Sequence, residues 1–341
     1  MTQGANDDLT VSKIGEFRLI AALERALPDE VRIGGASILG IGDDAAIFAI
    51  PEGERLVVTS DAMVEGVHFR LDWTDWGSLG HKLLAVNLSD LAAMGATPIG
   101  AVVTLGLTGR ELVSDLISMY RGLGMLAQRF GVIVAGGDVV RSLHEIVLDL
   151  TAFGAVAPNA AVLRSGARIG DVVAVSGTLG ASAAGMALLE SGELKATTAD
   201  LLIRSHLRPE PRLALGRILS ESGVTAAMDL SDGLFGDLPK LLNRSNVSAE
   251  IDAEAIPVAA AVRALFPDRW LEMATRGGED YELLMTIPPD KFNALVASAA
   301  AIGSTIAAIG RIVEGMPPRL SMIEEDGSRS TDLRGAFDHF G

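Results

Sequence analysis

The chain has 341 residues, 49% hydrophobic but only 4% aromatic, with 38 glycines, no cysteine and a formal net charge of −16. The lack of cysteine excludes disulfides, thiolate catalysis and cysteine-ligated zinc or iron–sulfur sites. Acidity without a basic cluster excludes nucleic acid and anionic membrane as partners, because both need concentrated Lys and Arg. The length exceeds one ordinary core, and the apolar content is carried by Ala, Val, Leu and Ile among many glycines. Both point to a two-domain α/β protein, divided here at residues 1–155 and 156–341.

The start, Met1–Asp8, is polar and acidic, unlike a signal peptide. Phe17, Leu19, Ile20, Leu23 and Leu27 recur at helical spacing and predict a helix from Glu16 to Leu27, stopped by Pro28. Short strands are expected at Ile38–Ile41 and Ile47–Ile50, around Gly42-Asp43-Asp44-Ala45-Ala46. A buried-type strand over Arg55–Asp61 ends in polar residues. A helix over 79–94 follows, with Ser78 as N-cap and Gly95 as the glycine that closes it. Strand Ala101–Leu107, helix Glu111–Phe130, strand Val132–Asp138 with a Gly-Asp turn, and strand Ile146–Ala155 complete the first half.

The second half opens at Arg164–Asp171. Strand Val172–Val175 meets the turn Ser176-Gly177-Thr178-Leu179-Gly180, an Ala-rich helix to Leu189 and a surface loop over Glu190–Ala199. Strand Thr225–Met228 runs into Asp229-Leu230-Ser231-Asp232-Gly233, then a helix whose Pro239 is tolerable only near the first turn. Arg276–Glu282 leads into strand Leu283–Ile287. A helix, a strand over Ala307–Ile312, a polar loop and Phe337-Asp338-His339-Phe340 end the chain. The most apolar late run, Leu295–Gly310, is broken by Ser298, Gly303 and Ser304 and is short for a membrane span. The expectation is a soluble, cytoplasmic protein.

One residue of the 79–94 helix is out of place. At about 100° per residue, Asp90 projects between Val86 and Ala93 on one side and Leu83 and Met94 on the other. A carboxylate on an apolar face needs a cation partner or a metal, unless the helix is an irregular one with Asp90 at the surface. A small pattern also recurs: apolar strand, then Gly or Ser, then Asp, at Asp44, Asp61, Asp138 and Asp229/Asp232. Any one of these alone reads as a turn former or helix cap. Gathered at strand-to-loop junctions, where α/β folds bind ligands, they make a hard oxygen donor set suited to Mg²⁺ or Mn²⁺. Mg²⁺ is held by carboxylates together with substrate phosphates, so metal-bridged triphosphate binding fits. Calcium is disfavoured because the D-x-D-x-D loop is absent. Ser176–Gly180 is either a phosphate turn at a helix N-terminus or a turn kept tight for helix–strand packing. His68 is either a ligand contact or a structural residue, and the five histidines support no Ser/His/Asp triad.

Gly42-Asp43-Asp44-Ala45, Ser60-Asp61, Gly66-Val67-His68-Phe69, Asn87-Leu88-Ser89-Asp90-Leu91-Ala92-Ala93-Met94-Gly95-Ala96 and Gly136-Gly137-Asp138 resemble the thiamine-monophosphate kinase family. So do Arg164-Ser165-Gly166-Ala167, His206-Leu207-Arg208-Pro209, Asp229-Leu230-Ser231-Asp232-Gly233, Gly277-Gly278-Glu279-Asp280-Tyr281-Glu282-Leu283 and Asp338-His339-Phe340. The Gly-Asp-Asp and Gly-Gly-Asp themes are shared with aminoimidazole ribonucleotide synthetase, selenophosphate synthetase and a hydrogenase-maturation protein. The Asn-Leu-Ser-Asp helix and Gly-Gly-Glu-Asp-Tyr-Glu together are more specific.

The resemblance implies an α/β (α+β) synthetase-like fold, with N-terminal domains pairing strands across a homodimer barrel and a C-terminal α/β domain. It implies ATP-dependent phosphorylation of thiamine monophosphate to thiamine diphosphate. Several Mg²⁺ ions are then held by Asp44, Thr59, Ser60, Asp61, Asp90, Asp138, Asp229 and Asp232, with Asp44, Asp61, Asp90, Asp138 and Asp229 the catalytic set. Gly137, Asp138, Arg164 and Ser231 contact ATP, with Tyr120 near the nucleotide, and His68, Glu279 and Phe337 line the thiamine-phosphate site. A carboxylate and an aromatic face suit the fixed positive charge of a thiazolium. Phe337 stands where Trp or Tyr is expected, keeping the stacking but losing a hydroxyl or indole contact. Another ATP-using synthetase, a metal-dependent phosphohydrolase and a non-catalytic nucleotide or Mg²⁺-binding module are the alternatives.

Overall fold

Apolar strands alternate with helices along the chain, and the computed structural model, which describes residues 9–32, 37–42, 44–192, 197–324 and 326–331, sorts them into two α/β units. One unit comprises Met1–Leu88 with Thr97–Pro158, the other Ser89–Ala96 with Asn159–Gly341.

The first unit contains α1 (Val11–Ile14), α2 (Glu16–Ala26), α3 (Asp29–Arg32), the antiparallel pair β1 (Ser37–Leu39) and β2 (Ile47–Phe48), and β3 (Arg55–Val64). Then come α4 (Trp76–Ala93), β4 (Thr97–Leu107), α5 (Val113–Phe130), β5 (Ile133–Arg141) and β6 (Val147–Val156). Its main sheet is ordered β3-β6-β4-β5. β6 runs antiparallel to β3 and β4, whereas β4 and β5 are parallel. A parallel pair needs a crossover, and α5 supplies it. α5 lies against α4 backbone to backbone: a Cβ on Gly122 would come within 1.9 Å of the Gly77 carbonyl, and one on Gly80 within 1.9 Å of the Met119 carbonyl.

The second unit holds β7 (Val172–Ser176), α6 (Ala181–Ser191), α7 (Thr197–Leu207), α8 (Leu213–Glu221), β8 (Ala226–Asp229), α9 (Leu234–Ser245) and β9 (Ser248–Asp252). α10 (Ala260–Leu265), α11 (Trp270–Arg276), β10 (Leu283–Ile287), α12 (Pro289–Ala301), β11 (Ile306–Val313), β12 (Leu320–Ile323) and β13 (Arg329–Ser330) follow. The sheet order is β13-β12-β9-β11-β7-β10-β8. Val175, Met228, Leu284 and Ile309 from its strands pack with Leu234, Leu238 and Leu241 of α9. Ala184, Leu188, Leu202 and Met273 form a second cluster among α6, α7 and α11. β8 is a sheet edge, and the segment before β7 covers it: the Ala227 N–H donates to the Leu163 carbonyl at 2.9 Å. Covering an edge in this way blocks stray strand pairing.

Several expectations need correction. α4 starts at Trp76, and its cap is Asp75, whose carboxylate accepts the Ser78 N–H (2.9 Å) and hydroxyl (2.6 Å). Gly95 closes the helix as expected, at φ +70°, with Gly95 N–H on the Ala92 carbonyl and Ala96 N–H on that of Leu91. Glu111 lies ahead of α5, because its carboxylate is occupied by the N–H groups of Thr108 and Gly109. The expected surface loop is partly helical, since α6 runs to Ser191 and α7 begins at Thr197. Pro239 sits in the second turn of α9, leaving that helix one hydrogen bond short. Most consequential, β3 and β5 run on past Asp61 and Asp138, so these acids lie within strands and not at their ends. Their polarity marks open positions on the sheet, which in sequence is easily taken for a strand terminus.

Alanine in place of a mid-helix glycine ordinarily stabilises by about 0.5–1 kcal/mol. At Gly122 the clash with the Gly77 carbonyl reverses the sign, and overpacking of this kind costs about 1–3 kcal/mol. Gly122→Ala is therefore expected to lower the urea-unfolding free energy, and equal or greater stability would contradict this packing.

Candidate functional site

In the first unit the strand register decides where the acids point. Asp61 lies opposite Leu150, Leu150 opposite Val103, and Val103 opposite Gly137. One residue on, Ala62, Asp149, Thr104 and Asp138 form the next row. Opposed residues share a face and successive ones alternate. Thr59 and Asp61 therefore belong to one face, and Ser60 and Asp138 to the other. On that second face the Ser60 hydroxyl donates to Asp149 (3.0 Å to Oδ2) and lies 2.9 Å from Thr151 Oγ1. Sequence reasoning missed Asp149 and Thr151, although the alternation Leu148-Asp149-Leu150-Thr151 signals a strand with one polar face.

Asp138 is exposed and accepts the Val139 N–H at 2.8 Å. Gly137 is required by backbone approach alone, since a Cβ would lie 1.8 Å from the Val103 carbonyl. Asp44 is exposed in a bend before β2. His68 Nδ1 accepts the Val64 N–H at 3.0 Å, which builds the ring into the turn after β3 and puts the neutral ring's hydrogen on Nε2. Tyr120 is buried on α5, and that burial pushes its hydroxyl pKa upward.

In the second unit the site forms where α4 ends beside β8. Every α4 residue from Ser78 to Ala93 is buried except Asp90, which is half-buried. Its neighbour Ser89 is fully buried and donates its hydroxyl to Asp229 Oδ2 at 2.8 Å. From Asp229 the chain enters a clasp of two loops. The Leu230 N–H donates to the Glu282 carbonyl, Tyr281 N–H to Leu230, and Glu279 N–H to Ser231. A Cβ on Gly278 would lie 2.5 Å from the Ser231 carbonyl, so the loops touch through backbone.

Asp237, absent from the sequence-based candidates, anchors this clasp. Fully buried, it accepts the N–H groups of Ser231 and Asp232, both at 2.9 Å, and the Lys240 ammonium at 2.8 Å. Lys240 also pairs with Asp232. Burial raises the Asp237 pKa against the opposing Lys240 hydrogen bond. For Lys240, burial works to lower the pKa but is outweighed by its bonds to Asp232 and Asp237, and the net shift is upward.

Glu279 and Tyr281 adopt left-handed backbone conformations, at φ +65° and +50°. Such strain costs about 1–3 kcal/mol per residue and tends to mark functional loops. Asp280 accepts the N–H groups of Gly180 and Ser182 at the start of α6, and burial nevertheless pushes its pKa up to about 7. Glu282 binds Arg212 and the Ser176 hydroxyl. These contacts fill the Ser176–Gly180 turn: a Cβ on Gly177 would meet the Glu282 carboxylate at 2.0 Å, and one on Gly180 the Ala274 nitrogen at 2.9 Å. Packing explains that turn better than phosphate binding does. Arg164 is exposed, its carbonyl accepting the Ser245 hydroxyl at 3.2 Å. Phe337 lies outside the described residues. Ser89, next to Asp90 in the chain, is thus brought to Asp229, and Ser231, next to Asp232, to the backbone of Glu279. Among the described residues, no three His, Asp or Glu side chains are gathered closely enough to hold a metal ion.

Residues 42–156 match the family AIR synthase related protein, N-terminal domain, and residues 168–322 match its C-terminal domain. The chain is 39% identical over 334 residues to thiamine-monophosphate kinase of Escherichia coli (strain K12), covering 96% of this chain and 98% of that one. Thiamine-monophosphate kinase from Stenotrophomonas maltophilia K279a superimposes with a TM-score of 0.79 at 36% identity, covering 92% and 96% of the two chains. AaThiL complexed with AMPPCP and TMP superimposes at 0.75 with 31% identity, covering 97% and 99%.

The raised pKa of Lys240 carries a stability prediction. Its contribution is fully present below the ordinary lysine value of 10.5 and is lost as pH rises through the higher folded value. The unfolding free-energy gap between the wild type and Lys240→Gln should be constant just above neutrality and shrink above pH 10.5. A gap that stays constant at alkaline pH would contradict the Asp232–Lys240–Asp237 bridge.

Proposed function

Because the chain belongs to the thiamine-monophosphate kinase family, we propose that it transfers the terminal phosphoryl group of ATP to the phosphate of thiamine monophosphate, giving thiamine diphosphate and ADP. The observation that carries this reading is the near-full-length likeness to AaThiL complexed with AMPPCP and TMP.

In this reading Asp44, Thr59, Ser60, Asp61, Asp90, Asp138, Asp229 and Asp232 are the residues that would hold Mg²⁺, and their chemistry suits it. All offer hard oxygen donors, Asp229 is already desolvated beside Ser89, and Asp90 is the one half-buried residue of α4 between Ser78 and Ala93. Mg²⁺ needs one or two carboxylates plus substrate phosphates, and not an all-protein cage. When bound, it neutralises the phosphates and the charge that develops between them. The two faces of the β3 register divide Thr59 and Asp61 from Ser60 and Asp138, so these donors serve more than one ion.

The chain's own residues orient the two anions for in-line transfer. Gly137, Asp138, Arg164 and Ser231, with Tyr120 nearby, are assigned to ATP, and His68, Glu279 and Phe337 to thiamine monophosphate. Glu279 offers its carboxylate to the fixed positive charge of the thiazolium. The attacking phosphate oxygen is ionised at neutral pH, so no general base is called for. Residues 1–155 form the metal-binding and dimerisation domain, and 156–341 supply ATP and substrate contacts. Exposed Leu56, Val58 and Val140 lie on the sheet face that carries Ser60, a surface suited to pairing with a second copy in a shared barrel. The protein acts as a soluble cytoplasmic homodimer.

Protein incubated with ATP, Mg²⁺ and thiamine monophosphate should yield thiamine diphosphate and ADP on chromatographic separation; its absence where ATP is bound overturns the kinase reading. Asp90→Asn should keep the fold by circular dichroism and cut turnover at least ~10²-fold through lost charge stabilisation. Near-normal turnover would show the centre of the site to lie elsewhere.

A further inference from the structure

His206 belongs to the His206-Leu207-Arg208-Pro209 stretch, to which the function above gives no task. It lies in the last turn of α7 and is only 5% exposed. Its Nδ1 is 3.2 Å from Glu279 Oε2 and 3.1 Å from Ser182 Oγ. Ser182, in the first turn of α6, also gives its N–H to Asp280. The C-terminus of α7 and the N-terminus of α6 therefore converge on residues 279–280.

Glu279 has a left-handed backbone, and its side chain is a quarter exposed. We propose that His206 is a positioning residue for substrate binding: its Nδ1–H donates to Glu279 and fixes the carboxylate where the thiazolium cation is received. An imidazole Nδ1–H suits this task, since it directs one hydrogen bond to a single carboxylate oxygen. Ser182, against the same nitrogen, restrains the ring. The inference rests on Glu279 being the counter-charge of thiamine monophosphate and extends that reading to the residue that orients it.

Two substitutions of similar polarity separate positioning from simple packing. In His206→Asn the side-chain amide stands where Nδ1 does, whereas in His206→Gln it reaches toward the position of Nε2. Steady-state kinetics should give His206→Gln a KM for thiamine monophosphate raised about tenfold, with KM for ATP and kcat within about twofold of wild type. His206→Asn should stay within about threefold of wild type in every constant, as expected where the donor is kept. In an Glu279→Gln background, His206→Gln should add nothing further. An unchanged KM in His206→Gln, an equal rise in His206→Asn, or an undiminished rise in the Glu279→Gln background overturns the proposal. If Glu279→Gln alone leaves KM for thiamine monophosphate unchanged, the assignment of Glu279 falls and the role of His206 falls with it. Absence of turnover in the wild type would instead overturn the kinase reading.

Discussion

Burying a carboxylate is costly unless hydrogen bonds or a cation answer it, and this acidic chain does so repeatedly. Among the described residues the buried acids are all answered. Glu111 takes the N–H groups of its own turn, and Asp171 those of Arg168 N–H and the Thr225 hydroxyl. Asp229 takes the Ser89 hydroxyl, Asp237 two N–H groups and Lys240, Glu250 two arginines, and Glu282 Arg212. Each such bond fixes a loop or joins two strands, so the chain's acids divide into two kinds. Some are spent on structure; others are held in open positions by neighbours of the first kind.

Asp90 illustrates the second kind. α4 is closed to solvent all around from Ser78 to Ala93 except at this carboxylate, and Ser89 beside it is committed to Asp229. The helix is a rigid mount, ended sharply at Gly95, where an added Cβ would lie 2.8 Å from Ser220 Cβ. The Asp229–Gly233 loop is equally constrained, pinned from below by Asp237 and clasped by Gly278–Glu282. Rigidity of this sort suits phosphoryl transfer, where the protein supplies position and electrostatics with little covalent chemistry of its own.

Much of this was legible in the sequence, and the failures have physical causes. The closure of α4 at Gly95 followed from glycine's tolerance of left-handed backbone, and Asp90 stood out because an acid broke an apolar helical face. Ser78 is a good cap by type, but Asp75 three residues earlier reaches it with both oxygens and starts the helix sooner. Asp61 and Asp138 look like strand ends in sequence because a polar residue inside a half-exposed strand has the same local pattern as a terminus; only cross-strand pairing separates the two. Asp149 and Asp237 carry no local signal for their roles, and His206, although part of a recognisable motif, carries none for its own. Their importance comes from partners distant in sequence, Ser60 for Asp149 and Glu279 for His206, or from a backbone turn that folds onto Asp237. The Ser176–Gly180 turn left two readings open, and the carboxylate of Glu282, about a hundred residues away, decided for packing.

In the proposed reading, half-buried Asp90 at the end of α4 and buried Asp229 at the end of β8 bind phosphates through divalent cations. Calorimetric titration of AMPPCP into the protein, with Mg²⁺ and then with EDTA, tests it most directly. The account predicts tight binding with Mg²⁺ only, weakened by at least ~10-fold in Asp229→Asn through loss of one cation ligand. Equal affinity in EDTA, or undiminished Mg²⁺-dependent affinity in Asp229→Asn, would contradict it.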